Sequence, residues 1–241
     1  MTKQDTAGPD GPLWLLFCLA ILPFAAKVLV VASGRTGYLV QSTYKALQAA
    51  APIGWRRRFG HRGLDCLWPV REPLPAASTW ALAVLVAAAL AGAAIAAVSV
   101  AAGRLGIDPA VLKTQYDAKF SLTPLKAAGI VAYLFTLNAA LEELHFRAWL
   151  DREIAARFGH PAGIAVSASA FAAMHLGIFA GMEGATPIVL GLVFIGLLIA
   201  GVSWSLIARR PGGIHAAWLS HGLTDAGLLT WGLFWLGYFK A

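Results

Sequence analysis

Two carboxylates, an imidazole and a guanidinium stand close together in the segment LEELHFRAWL, as Glu142, Glu143, His145 and Arg147. A second segment, FAAMHLG, holds His175, and a third, SHGLTDAG, holds His221 and Asp225. Such groups can exchange protons: a carboxylate accepts one, and an imidazole accepts or donates one near neutral pH. On a helix, Glu143 and Arg147 lie four apart on one face, with the acid N-terminal to the base, the better order for a pair. His221 and Asp225 are also four apart, so the carboxylate can orient the ring. Phe171 lies one turn before His175 and packs beside it.

The elements that carry these groups are unusual for charged residues. The chain has 241 residues, 59% of them hydrophobic and 13% charged, with mean hydropathy +0.68. Soluble domains carry about a quarter charged residues. Here the apolar residues fall into blocks near the roughly 20-residue length of a membrane span. Six stretches qualify: Leu13–Ala32, Ala77–Ala102, Ala127–Trp149, Gly163–Met182, Pro187–Ala208 and Gly213–Phe239. The fold class expected is all-α, a polytopic transmembrane helical bundle of about six spans, with the chemistry on the last four. Trp231, Trp235 and Tyr238 form an interfacial belt at its end. Leu13–Ala32 reads as a retained helix: Lys3 is offset by Asp5 and Asp10, and no small-x-small cleavage site follows. Residues 1–126 read as N-terminal spans with a basic cytoplasmic loop and an outer loop, and 127–241 as the catalytic core.

The net charge of +7 does not point to nucleic acid, because much of the Lys and Arg lies between apolar blocks, where it sets topology and meets lipid headgroups. Arg35, Lys45, Arg56, Arg57, Arg58, Arg62 and Arg71 in the loop 33–76, Arg152 and Arg157, and Arg209 and Arg210 all fall on one side if six spans alternate. That side is cytoplasmic. Within the loop, an amphipathic stretch around Tyr38–Ala50 reads equally well as a helix lying on the membrane or as a solvated loop. Cys18 and Cys66 make no disulfide framework and show no metal spacing.

The spacing brings two of the clusters to one depth. Glu142 lies 17 residues before Gly159 in the turn FGHPAG, and His175 lies 16 after it. At about 1.5 Å per residue, both sit roughly 25 Å from that turn. With the polar segment Asp151–Arg157 protruding into the cytosol, the two groups lie about 10–15 Å below the cytoplasmic surface. His221 enters from the same side, about 15 Å in. A charge near the centre of a span costs several kcal/mol, so the cluster calls for a reason. Packing is one: the Glu143–Arg147 pair can simply fix helix geometry, and His145 and His215 read as hydrogen-bonded packing residues, with His160 in a turn. A purely structural role fits Glu142, His175 and His221 together less well.

Glu-Glu-x-x-x-Arg (Glu142–Arg147), Phe-x-x-x-His (Phe171–His175) and His-x-x-x-Asp (His221–Asp225), in that order on membrane helices, resemble the CAAX-processing and bacteriocin-processing (CPBP) family of glutamate-type intramembrane proteases. The resemblance covers about Ala127 to Gly227. It implies a helical bundle around a cytosol-facing, water-filled cavity in which a peptide bond is hydrolysed without metal or other cofactor. Carried over by motif, Glu142 is the general base, assisted by His175. Glu143 and Arg147 hold charge balance and helix geometry, and His221 with residue 225 polarises the scissile carbonyl. Many relatives have Asn where this chain has Asp225. An ionised carboxylate cannot donate to an oxyanion, so Asp225 is either protonated or serves to orient His221, and orientation is the simpler role.

The resemblance implies a membrane-associated peptide or protein substrate cut near the cytoplasmic interface, and an integral protein of the lipid bilayer, by analogy the bacterial inner membrane. Some relatives cut prenylated CAAX ends; bacterial ones are implicated in peptide processing and bacteriocin immunity. The zinc motif His-Glu-x-x-His, the rhomboid Gly-x-Ser-Gly and Gly-x-Gly-Asp are absent. A non-proteolytic immunity or scaffold protein, a metal-dependent hydrolase and a transporter remain as other readings; the last lacks paired broken helices in corresponding halves. The charge pattern makes a direct prediction. In a chain freed of Cys18 and Cys66, cysteines placed at Arg57 and at Arg210 should be labelled by an impermeant reagent from the same side of the membrane. Labelling from opposite sides would refute the alternation.

Overall fold

The computed structural model describes residues 11–32, 38–59, 73–106, 108–179 and 186–239. Every regular element among them is helical, as the apolar blocks lead one to expect. In chain order they are α1 (Leu13–Ala32), α2 (Tyr38–Phe59), α3 (Ala77–Leu105), α4 (Pro109–Phe120), α5 (Pro124–Tyr133), α6 (Ala139–His145), α7 (Arg152–Phe158), α8 (His160–Phe179), α9 (Pro187–Ala208) and α10 (Gly213–Trp235). Wide π turns join α5 to α6 at Leu134–Asn138 and α6 to α7 at Phe146–Asp151.

Local chemistry explains several boundaries. A capping residue followed by proline opens α4, α5 and α9. The side chains of Asp108, Thr123 and Thr186 accept from the amides of Ala110, Lys126 and Val189, and Pro109, Pro124 and Pro187 occupy the first turn, where no amide is missed. Arg56, Arg57 and Arg58 in the last turn of α2 complement the helix dipole. Gly159, at φ 86°, makes the reversal between α7 and α8, a conformation that glycine adopts without steric cost.

Among the described residues, three helices are long and apolar enough to cross a membrane by length and composition: Ala77–Arg104, Pro124–Phe158 and Pro187–Ala208. A shorter apolar stretch runs over Leu13–Ala26. The remaining two of the six expected spans are helices as well, but α8 carries His160 and His175, and α10 carries His215, His221 and Asp225. The outward face of α9 shows Ile188, Leu192, Ile195, Ile199 and Leu206 exposed, while Ala200, Gly201, Trp204 and Ser205 are buried. In water such a stripe would be a liability; in lipid it is ordinary solvation.

The structure adds detail to the two loops. The stretch Tyr38–Ala50 is no solvated loop but part of α2, which continues through Trp55 to Phe59. Its Lys45, Gln48 and Arg56 are buried in the protein rather than turned to headgroups. The outer loop 103–126 contains the helix α4, capped by Asp108. Residues 60–72 of the basic loop, including Arg62 and Arg71, lie outside the described residues, as do Arg35 and positions 180–182 at the end of the expected fourth span.

The chain forms two compact units, Met1–Ala76 with Leu141–Ala217, and Ala77–Ala140 with Trp218–Ala241. In the first, α8 packs against α9, α7, α1 and the wide turn Phe146–Asp151. Its core is aromatic: the rings of Phe146 and Phe171 meet edge to face at 5.4 Å, and those of Phe171 and Trp204 at 5.5 Å. In the second, Ala127, Leu233 and Tyr238 form a buried cluster. Tyr238 donates its hydroxyl to Asp117 Oδ1 at 2.7 Å, and Lys113 reaches Asp117 Oδ2 at 2.5 Å.

The Lys113 and Tyr238 hydrogen bonds hold the Asp117 carboxyl below its usual 3.8. A depressed carboxylate contributes stability above its unfolded value, and that contribution is lost as pH falls through the lower folded value. Asp117→Asn should therefore lower the thermal midpoint at pH 7, and the gap to wild type should close as pH is taken below 3.8. A gap that stays constant down a pH series of melts would show that the charge of Asp117 contributes nothing.

Candidate active site

Glu142 and Glu143 sit side by side on α6, 2% and 0% exposed, and each meets its own cation. Arg147 Nη1 donates to Glu143 Oε1 at 3.0 Å, the pairing expected from the four-residue spacing. Its guanidinium also reaches the Gly201 carbonyl at 3.4 Å and lies 4.6 Å from the centre of the Phe171 ring. Gly201 has no room for a side chain: a Cβ there would come within 3.0 Å of Ala168 and 3.3 Å of Arg147 Nη2. Glycine thus lets α9 approach closely enough for its carbonyl to help hold the guanidinium.

Glu142 Oε1 is bound by Lys45 Nζ from α2, both side chains being nearly inaccessible. Its other oxygen, Oε2, lies 3.7 Å from His175 Nε2. His175 Nδ1 is 2.9 Å from the Phe171 carbonyl. A carbonyl only accepts, so Nδ1 carries the proton, and in the neutral ring Nε2 is left as an acceptor. One carboxylate oxygen and one imidazole nitrogen therefore face each other at a separation that lets a single water donate to both. Glu142 and His175 thus meet at one level of the hairpin, even though six residues of its first helical arm are wound as a π turn.

That turn has its own reason. Two of its carbonyls are taken by neighbours: Ser167 Oγ donates to Phe146 O at 2.8 Å, and Arg56 donates to Ala148 O. Single π turns inside helices recur at functional sites, and this one begins one residue before Arg147. The other wide turn does the same in the second unit, where Trp218 Nε1 donates to Thr136 O at 3.0 Å.

His145 is buried and donates from Nδ1 to the Gln48 carbonyl at 3.1 Å, with its ring edge-on to Phe146 and Trp149. These contacts are those of a packing residue. Asp151 corrects an expectation. It does not protrude: it is 2% exposed and paired with Arg209, which also donates to His160. The Asp side chain is bound from α9, which sequence order conceals. His221 and Asp225 lie in the second unit, where Nε2 and Oδ2 face each other at 3.6 Å, beyond a direct hydrogen bond. His221 is 1% exposed.

Lys45 is the residue that sequence reasoning missed. It was legible only as one basic residue of a cationic loop; the available signal was its place among apolar residues of an amphipathic helix. Among the described residues, no group of three or more His, Cys, Asp or Glu side chains is placed to hold a metal ion. A cavity of about 570 Å³ is lined by Arg147, Asp151, Arg152, His160, Arg209 and Arg210 among others, but not by Glu142 or His175.

Residues 124–227 match one family model, described as Type II CAAX prenyl endopeptidase Rce1-like. The stretch is similar to that family. The match bears out the family resemblance drawn from the three motifs. The Rce1-like stretch begins at the first residue of α5 and leaves α1 to α4 outside it. Comparison with curated proteins and with solved structures gave no match.

The buried pair makes a clear prediction. Glu143→Gln leaves the Arg147 guanidinium buried without its counter-charge, which should cost on the order of 3–5 kcal/mol. Thermal or denaturant melts of purified protein should show that loss, and Glu143→Gln combined with Arg147→Met should recover much of it. Equal stability of Glu143→Gln and wild type would show that the pair carries no net weight.

Proposed function

We propose that this protein is an intramembrane endopeptidase in which Glu142, together with His175, activates a water molecule to cut a peptide bond of a membrane-associated substrate. The observation that carries the reading is the facing of Glu142 Oε2 and His175 Nε2 at 3.7 Å, with the imidazole tautomer set by the Phe171 carbonyl. A water donating to both acceptors has its oxygen lone pair free for attack. As that oxygen bonds to the scissile carbonyl carbon, its proton passes to Glu142 and an oxyanion forms. Collapse of the tetrahedral intermediate breaks the C–N bond, and the protonated Glu142 returns the proton to the leaving nitrogen. The family description of residues 124–227 as a type of endopeptidase supports the cleavage of a peptide bond.

Glu143 and Arg147 act one step away in this scheme, as a neutral buried pair that sets the turn carrying Glu142. The motif resemblance gives His221 and Asp225 the polarisation of the carbonyl. Their 3.6 Å separation suits a carboxylate that biases the orientation of the imidazole more than one that donates to an oxyanion. Peptides ending in a prenylated CAAX sequence, the substrates named by the family description, are the first to assay.

The test is a panel of purified variants checked for thermal stability and for cleavage. Glu142→Gln keeps shape and removes the proton acceptor, so turnover should fall by at least about 10²-fold; because it also leaves Lys45 buried without its counter-charge, turnover is measured on protein that the melts show to be folded. Asp225→Asn should retain or improve turnover, since an amide can donate where a carboxylate cannot. Wild-type turnover in Glu142→Gln together with a dead Asp225→Asn would move the base from Glu142 to Asp225.

A further inference from the structure

We propose that Lys45 is a positioning residue of this reaction: from α2, outside the Rce1-like stretch, it binds one oxygen of Glu142 and leaves the other as the base. The inference rests on the reading that Glu142 activates the water. Its own grounds are geometric. Lys45 Nζ meets Oε1, His175 Nε2 faces Oε2, and the two side chains of the ion pair are 6% and 2% exposed. The two carboxylate oxygens thus have different partners from different helices. A free carboxylate could rotate and present either oxygen; one held at Oε1 presents Oε2 to His175. Geometric fixing of this kind is a major source of catalytic rate, and a misplacement of about 1 Å can cost 10²-fold.

Lys45 is itself held. Lysine is almost never fully buried unless paired, and here its ammonium also lies 5.0 Å from the centre of the Tyr44 ring. Around it, α2 is fastened to the elements that bear the site. Gln48 Nε2 reaches Met174 Sδ at 3.1 Å, the Gln48 carbonyl accepts from His145, and Arg56 donates to the Ala148 carbonyl. Tyr44, Lys45, Gln48, Ala51, Trp55 and Arg56 are all buried, at the three- and four-residue spacing of one helical face. A lysine that served only to set topology or touch headgroups would lie at the surface. Among the described residues, the charged and titratable groups near Glu142 include Glu143, His145 and Arg147 on its own segment, His175 on α8 and Lys45 on α2. With Arg147 given to Glu143, Lys45 is a cation placed on the carboxylate proposed as base.

The experiment uses the full-length protein in lipid nanodiscs, as wild type, Lys45→Met, Lys45→Arg, Glu142→Gln and the double variant Lys45→Met/Glu142→Gln. With a prenylated CAAX peptide, Lys45→Met should lose on the order of 10- to 100-fold in kcat with KM little changed. Lys45→Arg should recover most of that loss, because it restores the cation. Thermal melts give a readout that needs no proteolysis. Lys45→Met should be destabilised, and adding Glu142→Gln should restore much of the lost midpoint, because a neutral amide no longer requires a buried cation. Full turnover in Lys45→Met, a loss confined to KM, or purely additive melts would overturn the role of Lys45 while leaving the proteolytic reading intact. A wild type that cleaves no peptide, alongside coupled melts, would overturn the proteolytic reading and Lys45's part in it, leaving only the ion pair.

Discussion

A charge inside a helical membrane bundle must find its opposite, and much of the first unit is arranged around that requirement. Glu142 and Glu143 are adjacent in sequence and would repel each other if left alone. Each is instead given to a separate cation: Lys45 from one side and Arg147 from four residues along. Desolvating such groups costs several kcal/mol per ion, and only close, well-directed pairing repays it. The aromatic rings of Phe146, Phe171 and Trp204 around the Arg147 guanidinium add attraction where water would otherwise stabilise it. The same requirement governs Asp151 and Arg209 further along the bundle.

Backbone irregularity follows from the same setting. A π turn displaces carbonyls from the helical ladder, and in an apolar surrounding each displaced group needs a donor. Ser167, Arg56 and Trp218 supply them. These donors tie neighbouring helices to the wide turns, so the turn that carries Arg147 is held by α8 and α2 as well as by its own winding. Small residues complete the fit. At Gly201 the absence of a side chain brings a backbone carbonyl to the guanidinium, and at Gly163 a Cβ would fall 2.5 Å from the Asp151 carbonyl. Chemistry on Glu142 therefore depends on close helix packing several residues away.

The amino-acid sequence by itself determined a good deal here. Long apolar blocks can only be helices where backbone groups have no water to bond, so the all-α class and the bounds of Leu13–Ala32 and Pro187–Ala208 could be read directly. The four-residue spacing of Glu143 and Arg147 carries straight into a 3.0 Å pair, because both lie on one continuous segment. The meeting of Glu142 with His175 could be anticipated from equal distances to the turn at Gly159, since an antiparallel hairpin keeps depth in step with residue count.

What only the tertiary structure decided were pairings between helices distant in sequence. Nothing in the period of residues 38–50 says which way that helix faces, since its polar residues suit headgroups and buried partners equally. Only the packed bundle turns Lys45 onto Glu142, 97 positions away. The same holds for Asp151 with Arg209 and for Gln48 with Met174. Local periodicity specifies which residues share a face, but not which face another helix will cover. The partner of a buried charge is therefore settled by packing, where the cost of leaving that charge alone selects among otherwise acceptable arrangements.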